Sequence, residues 1–212
     1  QSQLLDKEIL HHLTEIDRPL TIAFSYESPI SGIPISNTAK AALHKTIVFL
    51  KTQGHQLTEV EFPLDARALI QSYYQMNAAE TFAMLTPWEI QQGKKITNED
   101  VEPLTYALLE TGRQVDAASY IQGLNLWDNA CATFDDKLFK DFELFLTPTT
   151  AKTAPKIGEK LIDDNLISQL KTCEQYASKQ QLDLIETAFE SSLSYTPYSF
   201  IDRKSTRLNS SH

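Results

Sequence analysis

The stretch from residue 20 to residue 63 decides the fold, and it opens with the apolar run LTIAF at residues 20–24. A short run of this kind, rich in β-formers and preceded by Pro19, predicts a buried strand. Turn residues follow at 28–34, and Ser36 is placed to cap a helix that repeats apolar side chains up to Gly54. The run LTEVEF at residues 57–62 alternates imperfectly and predicts a second strand. Strand, helix and strand over about 45 residues predict a parallel pair within an α/β sheet.

Mostly helical sequence follows this unit. One helix is predicted over residues 66–85, and a second begins at Thr97 or Asn98 and ends at Gly112. Asp116 begins a third helix, which runs to about residue 142 and is expected to pack across the sheet face. The run ELFLT at residues 143–147 predicts a third strand, and residues 161–189 predict a polar helix on the surface.

The two ends of the chain need separate treatment. Residues 1–17 repeat apolar side chains at helical spacing and predict a helix. The sequence DRKSTRLNSSH at residues 202–212 matches the translation of a sequencing-library adapter and is expected to be an artefactual tail. The chain also starts at Gln1 rather than at a methionine. We therefore expect residues 1–201 to be an incomplete portion of a single domain from a longer protein.

Composition excludes several classes of function. Hydrophobic residues make up 42% and charged residues 22% of the chain, which is typical of a globular protein. The net charge of −9, with no basic stripe, argues against binding to nucleic acid or to an anionic membrane. No apolar run approaches the roughly 20 residues that span a bilayer, and a cytoplasmic protein is expected. Cys131 and Cys173 have no CxxC spacing and are interpreted as reduced thiols, and the histidines lack metal-ligand spacing.

Several motifs occur in a characteristic order. They are RPLTIAFS at 18–25, the helix and strand at 41–63, EPLT at 102–105, GR at 112–113, FELFLTPT at 142–149, APKIG at 154–158 and SYTPY at 194–198. Together they resemble the carboxyl-terminal half of enzymes of the amidase signature family. The resemblance spans about residues 18–200, and the most specific motif is the strand that ends in LTPT. It implies the carboxyl-terminal half of an amidase fold, in which helices flank a partial mixed β-sheet.

The resemblance implies a chemistry whose catalytic residues this sequence does not contain. Enzymes of the family hydrolyse carboxamide C–N bonds through an acyl-enzyme, with a Ser nucleophile, a second Ser in a cis peptide and a Lys base. These residues surround a Gly-Gly-Ser-Ser-Gly-Gly run in the amino-terminal half, and the loop supplies the oxyanion hole. The pair Ser191-Ser192 lacks flanking glycines and is not assigned this role. We therefore assign no catalytic residue, no metal and no cofactor to this chain.

The remaining expected role is substrate binding. The resemblance implies that Thr147, Pro148 and Thr149, at the carboxyl end of a strand, face the pocket, since ligands bind at such ends in open α/β sheets. The helix that carries Tyr74 and Asn77 is expected to form another wall. The alternative for these residues is structural: Pro148 ends a strand, and the tyrosine belongs to the core.

Two kinds of parent protein remain open at this point, beside a third alternative in which the chain is a generic α/β domain and its resemblance to the family is a coincidence. The first is an amidase acting on a small-molecule amide, similar to the aminohexanoate-oligomer hydrolases, with a homodimer of the intact parent left open. The second is a noncatalytic or partner-dependent subunit that resembles an amidotransferase A subunit. The Tyr73-Tyr74 pair and Glu80 favour that subunit, whereas its Gly-x-Glu-Val-x-x-Arg-Arg block is missing here. In either case an exposed sheet edge and a tendency to aggregate are expected.

Overall fold

The structure, a computed structural model, describes residues 18–196 and residue 198. The helix predicted over residues 1–17 and the tail at 202–212 lie outside the described residues.

Three strands form one parallel sheet in the order β2-β1-β3, with β1 at Thr21–Phe24, β2 at Gln56–Glu59 and β3 at Leu144–Leu146. Ile22 of β1 lies opposite Leu57 on one side and Leu144 on the other. The α/β class and the parallel pairing of β1 with β2 are thereby confirmed. A mixed sheet was expected, but both pairings within the described residues are parallel. β2 also ends at Glu59, earlier than the predicted Phe62, because only residues 56–59 pair with β1.

The first helix, α1 at Asn37–Thr52, covers one face of this sheet. Its Leu43 and Ile47 pack on Phe24 of β1, with Leu57 and Leu146 beside them. The predicted cap is confirmed, since the Ser36 hydroxyl accepts a hydrogen bond from the Ala39 amide at 3.3 Å. Gly54 follows the helix in the left-handed conformation, at a φ of 88°. The sequence signals at both ends of α1 were thus sufficient to place it.

The described residues contain five further α-helices: α2 at Arg67–Gln92, α3 at Pro103–Gly112, α4 at Ala117–Leu138, α5 at Asp164–Lys171 and α6 at Ser178–Glu190. Two short 3₁₀ turns lie at Cys173–Gln175 and Leu193–Tyr195. The largest cluster of buried side chains comes from α2, α3, α5 and α6 rather than from the sheet. The helices therefore pack around a hydrophobic core that is separate from the cluster between α1 and the sheet.

The surface helix predicted over residues 161–189 was wrong. The segment divides into α5 and α6, and Leu170 and Ile185 are fully buried in the helical core. Each short helix has one apolar face, which the many polar residues around it obscured. Gln181 is also fully buried, and its amide donates to the Cys173 and Tyr176 carbonyls while its oxygen accepts from Thr111. These bonds offset the cost of burying a polar side chain.

The predicted start of α3 at Thr97 or Asn98 was also wrong, because the helix begins at Pro103. The Asp100 carboxylate accepts from the backbone amide and the hydroxyl of Thr97, so residues 97–100 form a turn rather than a first helical turn. A residue before proline avoids helical angles, whereas proline itself suits the first helical position. Asp100 and Glu102 therefore precede the helix.

α2 and α4 differ from prediction at their carboxyl ends. α2 continues past Leu85 and through Pro87 to Gln92, although proline removes one helical hydrogen bond. Its last turn is stabilised by an ion pair between Glu89 and Arg113. α4 ends at Leu138, short of the predicted residue 142, and packs mainly on α2, with Trp127 against Leu69 and Met76. Near its carboxyl end Phe134 contacts Phe145 of β3. The prediction that the helix crosses the whole sheet face was wrong, because its main packing partner is α2.

An ion pair holds the amino-terminal edge of the sheet. The Arg18 guanidinium contacts one carboxylate oxygen of Glu143, and the other accepts from the Thr21 amide at 3.0 Å. These contacts, with the Arg18 hydrogen bond first among them, lower the pKa of Glu143 to about 2. Glu143 thus ties the start of β1 to the start of β3.

We expect the stabilisation by Glu143 to depend on pH. Because its pKa is lower in the folded state, the contribution is fully present above the ordinary value of 4.5 and is lost as the pH falls through about 2. An NMR titration of the side-chain carboxyl carbon should give a midpoint near 2. An Arg18→Gln variant should move the midpoint back toward the ordinary value. An unchanged midpoint in that variant would contradict the assigned cause.

Candidate functional site

The carboxyl ends of β1 and β3 lie side by side, where an open α/β sheet places a ligand site. The Ser25 amide donates to the Leu146 carbonyl at 3.2 Å and so extends the pairing of the two strands beyond the sheet. Immediately after β3, Thr147 is half-buried, Pro148 is buried and Thr149 is exposed. The structure therefore brings the three predicted residues of the LTPT motif to this edge.

Three segments meet at this edge: residues 25–36 after β1, residues 147–152 after β3, and residues 193–196 together with residue 198. The Ser36 amide donates to the Ala151 carbonyl at 2.9 Å, and the Lys152 amide donates to the Ser194 carbonyl at 3.0 Å. The Tyr198 amide donates to the Thr149 carbonyl at 2.9 Å. We call these segments the carboxyl-edge loops. Their backbone bonds hold the Thr147–Thr149 segment in a defined position.

Hydroxyl groups set the local conformation of the carboxyl-edge loops. The buried Ser25 hydroxyl accepts from the Glu27 amide, and the Ser28 hydroxyl accepts from the Ile30 amide. The Thr150 hydroxyl donates to the Lys152 carbonyl at 2.7 Å. These hydroxyl groups are thus used to hold the local backbone of the loops.

Arg67 is a residue of this region that the sequence reasoning missed. Its guanidinium donates to the Ser31 carbonyl from two nitrogens, at 3.1 and 3.2 Å, and makes two contacts with the Glu190 carboxylate at 3.0 and 3.2 Å. It therefore clamps the loop after β1 to the end of α6. No local sequence signal could have revealed this role, because the two partners lie 36 and 123 positions away along the chain.

Tyr74 lies in the helical core in this structure. It is 2% exposed, and its ring stacks on Phe189 with centroids 4.7 Å apart. Burial, and secondarily Glu190 and Glu186, raise the pKa of its hydroxyl above the ordinary value. Within the described part of the chain the buried hydroxyl has no hydrogen-bond partner. The same core cluster includes Ile30 and Leu193, which belong to two of the carboxyl-edge loops.

Asn77 is half-buried on α2, and its amide nitrogen donates to the Tyr73 carbonyl at 2.9 Å, one turn earlier in the same helix. No hydrogen bond links Tyr74 or Asn77 to the Thr147–Thr149 segment among residues 18–196 and 198. The structure thus gathers the β3 residues of the predicted site at the sheet edge and places the two α2 residues within helix packing.

A Tyr74→Phe variant should distinguish packing from ligand contact. Removing a buried hydroxyl that lacks a partner is expected to leave the free energy of unfolding unchanged or to raise it by up to about 1 kcal/mol. Urea unfolding followed by circular dichroism measures this change. A loss of stability would show that the hydroxyl makes a bond in solution, and Tyr176→Phe on a half-buried tyrosine is the matched control.

The other residues singled out from the sequence have structural contacts. The Ser191 and Ser192 hydroxyls donate to the Ala188 and Phe189 carbonyls at 3.3 and 2.8 Å, in the last turn of α6. Glu80 accepts from the Tyr120 hydroxyl at 3.0 Å and so joins α2 to α4. Cys131 and Cys173 are not joined in a disulfide. In the described residues no group of three His, Cys, Asp or Glu side chains is placed to hold a metal ion.

The chain is similar in sequence to known proteins. The sequence model of the Amidase family matches residues 2–186. Lipoamidase from Enterococcus faecalis is 33% identical over 181 residues, which cover 84% of this chain and 24% of that protein. The chain thus spans about a quarter of the length of this relative.

The fold is shared with a solved amide hydrolase. The structure of 6-aminohexanoate cyclic dimer hydrolase complexed with substrate superposes with a TM-score of 0.65 at 16% identity, covering 85% of this chain and 38% of that chain. A second structure of 6-aminohexanoate cyclic dimer hydrolase superposes with a TM-score of 0.64 at the same identity and coverage. Among the described residues no helix is long and apolar enough to cross a membrane. From the family match and the lipoamidase identity we conclude that the chain belongs to the Amidase family.

Proposed function

We propose that this chain is the carboxyl-terminal part of an amide hydrolase and supplies part of its substrate-binding surface. The observation that carries the proposal is the position of Thr147, Pro148 and Thr149 at the carboxyl end of β3, beside the end of β1, in a member of the Amidase family. The catalytic Ser, cis-Ser and Lys would come from residues that this sequence does not contain. The parent would cleave a carboxamide C–N bond through an acyl-enzyme, without a metal or a cofactor.

The proposed substrate is a small-molecule amide. The names of the similar proteins, lipoamidase and 6-aminohexanoate cyclic dimer hydrolase, both refer to amides. The carboxyl-edge loops present hydroxyl and backbone groups, which pair with the N–H and C=O of a neutral carboxamide. Tyr74 and Asn77 remain in the proposal as the α2 wall of the pocket. In this role Tyr74 acts through Ile30 and Leu193, which share its core cluster.

The first test is hydrolysis of lipoamide by the purified 212-residue chain. We expect no release of ammonia above a buffer control, because the chain lacks the glycine-flanked serine pair that the mechanism requires. Turnover above background, confirmed with chain from a second preparation, would contradict the assignment of catalysis to other residues.

A second test uses the full open reading frame that contains this sequence. We expect it to encode a Gly-Gly-Ser-Ser-Gly-Gly run after an earlier Lys, and its product to hydrolyse the amide. In that product Thr149→Ala should raise KM roughly fivefold with little change in kcat, the effect of about 1 kcal/mol from one hydrogen bond. Thr153→Ala, on an exposed residue of the same loop, is the matched control. A frame without the serine run would favour the partner-dependent subunit instead.

We also propose a cytoplasmic location and leave open a homodimer of the parent. The support for the location is that Cys131 and Cys173 are not joined in a disulfide, which is usual in a reducing compartment. Cell fractionation and light scattering of the full-length product would test the two points separately.

A further inference from the structure

A cavity lies between the turn at residues 97–102, the start of α3 and the helix α5. Its volume is about 800 Å³, and pockets that hold small ligands usually measure about 300–1,000 Å³. The residues that line it lie at 98–104, 162, 167 and 170–171, so none of them belongs to the carboxyl-edge loops. The cavity is therefore separate from the surface that we propose for the amide substrate.

The floor and walls of this cavity are apolar. Leu170 of α5 is fully buried and belongs to the helical core. Val101, Leu104 and Ile162 pack against the same core and are half-buried. Ile167, also half-buried, lines the cavity about one turn before Leu170. An apolar group that entered the cavity would shield these side chains from water, which is the main favourable contribution to ligand burial.

The rim of the cavity is acidic. Glu99, Asp100 and Glu102 line it and are exposed, and the lining includes one basic residue, Lys171. Outside the lining, the Lys94 ammonium group pairs with the Asp100 carboxylate at 3.3 Å. Because Asp100 is already paired, we assign the charge that a ligand meets to Glu99 and Glu102.

The two helix ends at the cavity also favour a positive charge. α5 ends at Lys171, and the last carbonyls of a helix carry a partial negative charge. One donor of the cavity wall, the Asn98 amide, already bonds to the Lys171 carbonyl at 2.8 Å. α3 begins at Pro103, which has no N–H group to offer to an anion. The cavity thus combines an apolar floor with a rim that attracts cations.

We propose that this cavity is a binding site for an amphipathic cation, an alkyl chain that ends in an ammonium group. The alkyl chain lies on Leu170 and its apolar neighbours. The ammonium group lies at the rim, where its N–H groups donate to the carboxylates of Glu99 and Glu102. The site is independent of the proposed amide hydrolysis, because no residue of the carboxyl-edge loops takes part in it.

The test is an NMR titration of the full 212-residue chain with three probes of equal chain length: hexylammonium, hexanoate and hexanol. Hexylammonium should shift the backbone amides within residues 98–104 and 162–171, and the shifts should saturate. Its dissociation constant should be roughly tenfold lower than that of hexanoate, with hexanol between them, because the rim carboxylates attract one charge and repel the other. Equal affinity for hexylammonium and hexanoate, shifts confined to the carboxyl-edge loops or the absence of saturable shifts would overturn the proposal.

Two double variants separate the charge of the rim from the net charge of the chain. Glu99→Gln with Glu102→Gln should raise the dissociation constant of hexylammonium roughly fivefold. Glu61→Gln with Asp183→Asn removes two exposed charges elsewhere and should leave it unchanged. An equal effect of the two double variants would overturn the proposal, because affinity would then follow net charge alone.

A third variant tests the apolar wall. Ile167→Asn places a polar amide where the alkyl chain lies, and it should weaken the binding of both hexylammonium and hexanol. The NMR spectrum of the variant shows whether its fold is retained. Unchanged affinity in the folded variant would contradict the proposal, since the probe would then bind at the rim without entering the cavity.

Discussion

Replacing Gly112 with alanine should lower the free energy of unfolding by about 3 kcal/mol, the upper end of what overpacking usually costs. A Cβ atom at this position would lie 2.1 Å from the Ala78 carbonyl oxygen and 2.8 Å from the Phe82 Cβ. The closest atom belongs to the backbone of α2, which cannot rotate away. α2 and α3 would have to separate, and they share the helical core that includes Tyr74 and Ala107.

Gly123→Ala provides the matched control for this variant. Gly123 is also a buried helical glycine, but its added Cβ would meet the Ser72 hydroxyl at 2.9 Å and the Met76 sulfur at 3.1 Å. Both are ends of side chains that can move, and alanine gains about 1 kcal/mol of helix propensity over glycine. We expect this variant to be within about 1 kcal/mol of the parent. If urea unfolding shows the same loss of stability for both variants, then α2 and α3 pack less closely at Gly112 than the structure shows.

Replacing Arg113 with leucine should lower the free energy of unfolding by about 3 kcal/mol, because it leaves two largely buried carboxylates without their cationic partner. The Arg113 side chain is 18% exposed, and those of Glu89 and Glu110 are 11% and 16% exposed. Its guanidinium makes two contacts with Glu89, while Nε donates to Glu110 at 2.8 Å. Glu89 in turn accepts from the Ile96 amide at 2.8 Å. The loss would therefore loosen the end of α2 and the loop after it.

Two comparisons test this interpretation. Lys160→Met removes an ion pair whose side chains are 68% and 80% exposed, and it should cost less than about 1 kcal/mol. The double variant Arg113→Leu with Glu89→Leu should recover part of the lost free energy of unfolding, since one of the two unpaired carboxylates is then removed. The contacts with Arg113, the largest cause, lower the pKa of Glu89, so its contribution is present above the ordinary value of 4.5 and fades as the pH falls. In Arg113→Leu the free energy of unfolding should fall less with decreasing pH than it does in the parent. A pH profile identical to that of the parent would count against the assigned role of Arg113.

The parts of the fold that follow local rules could be predicted from the sequence. Ser36 and Asp116 each accept a hydrogen bond from the amide three residues on, as their residue types and positions indicated. The three strands were found because short apolar runs between turn residues have few other interpretations. In the same way, the LTPT motif led correctly to the carboxyl end of β3.

The parts that depend on distant contacts could not be predicted. α2 continues through Pro87. Its last turn is held by an ion pair between Glu89 and Arg113, and Arg113 lies 24 residues further along the chain. Residues 161–189 contribute to the core because α2 and α3 lie against them, and their composition alone indicated a surface. The placement of Tyr74 within the helical core, rather than open at a pocket, likewise depends on stacking against Phe189.

The pairing of β1 with both neighbours has a consequence for synthesis on the ribosome. β2 follows β1 closely, but β3 begins only at Leu144, after α2, α3 and α4 have been made. At typical elongation rates the roughly 85 residues between β2 and β3 take about 4 to 17 s to emerge. During this interval the nascent β1 has one edge without its final partner, so chaperone capture of ribosome-bound intermediates should peak before codon 144 is translated and decline once β3 has left the exit tunnel.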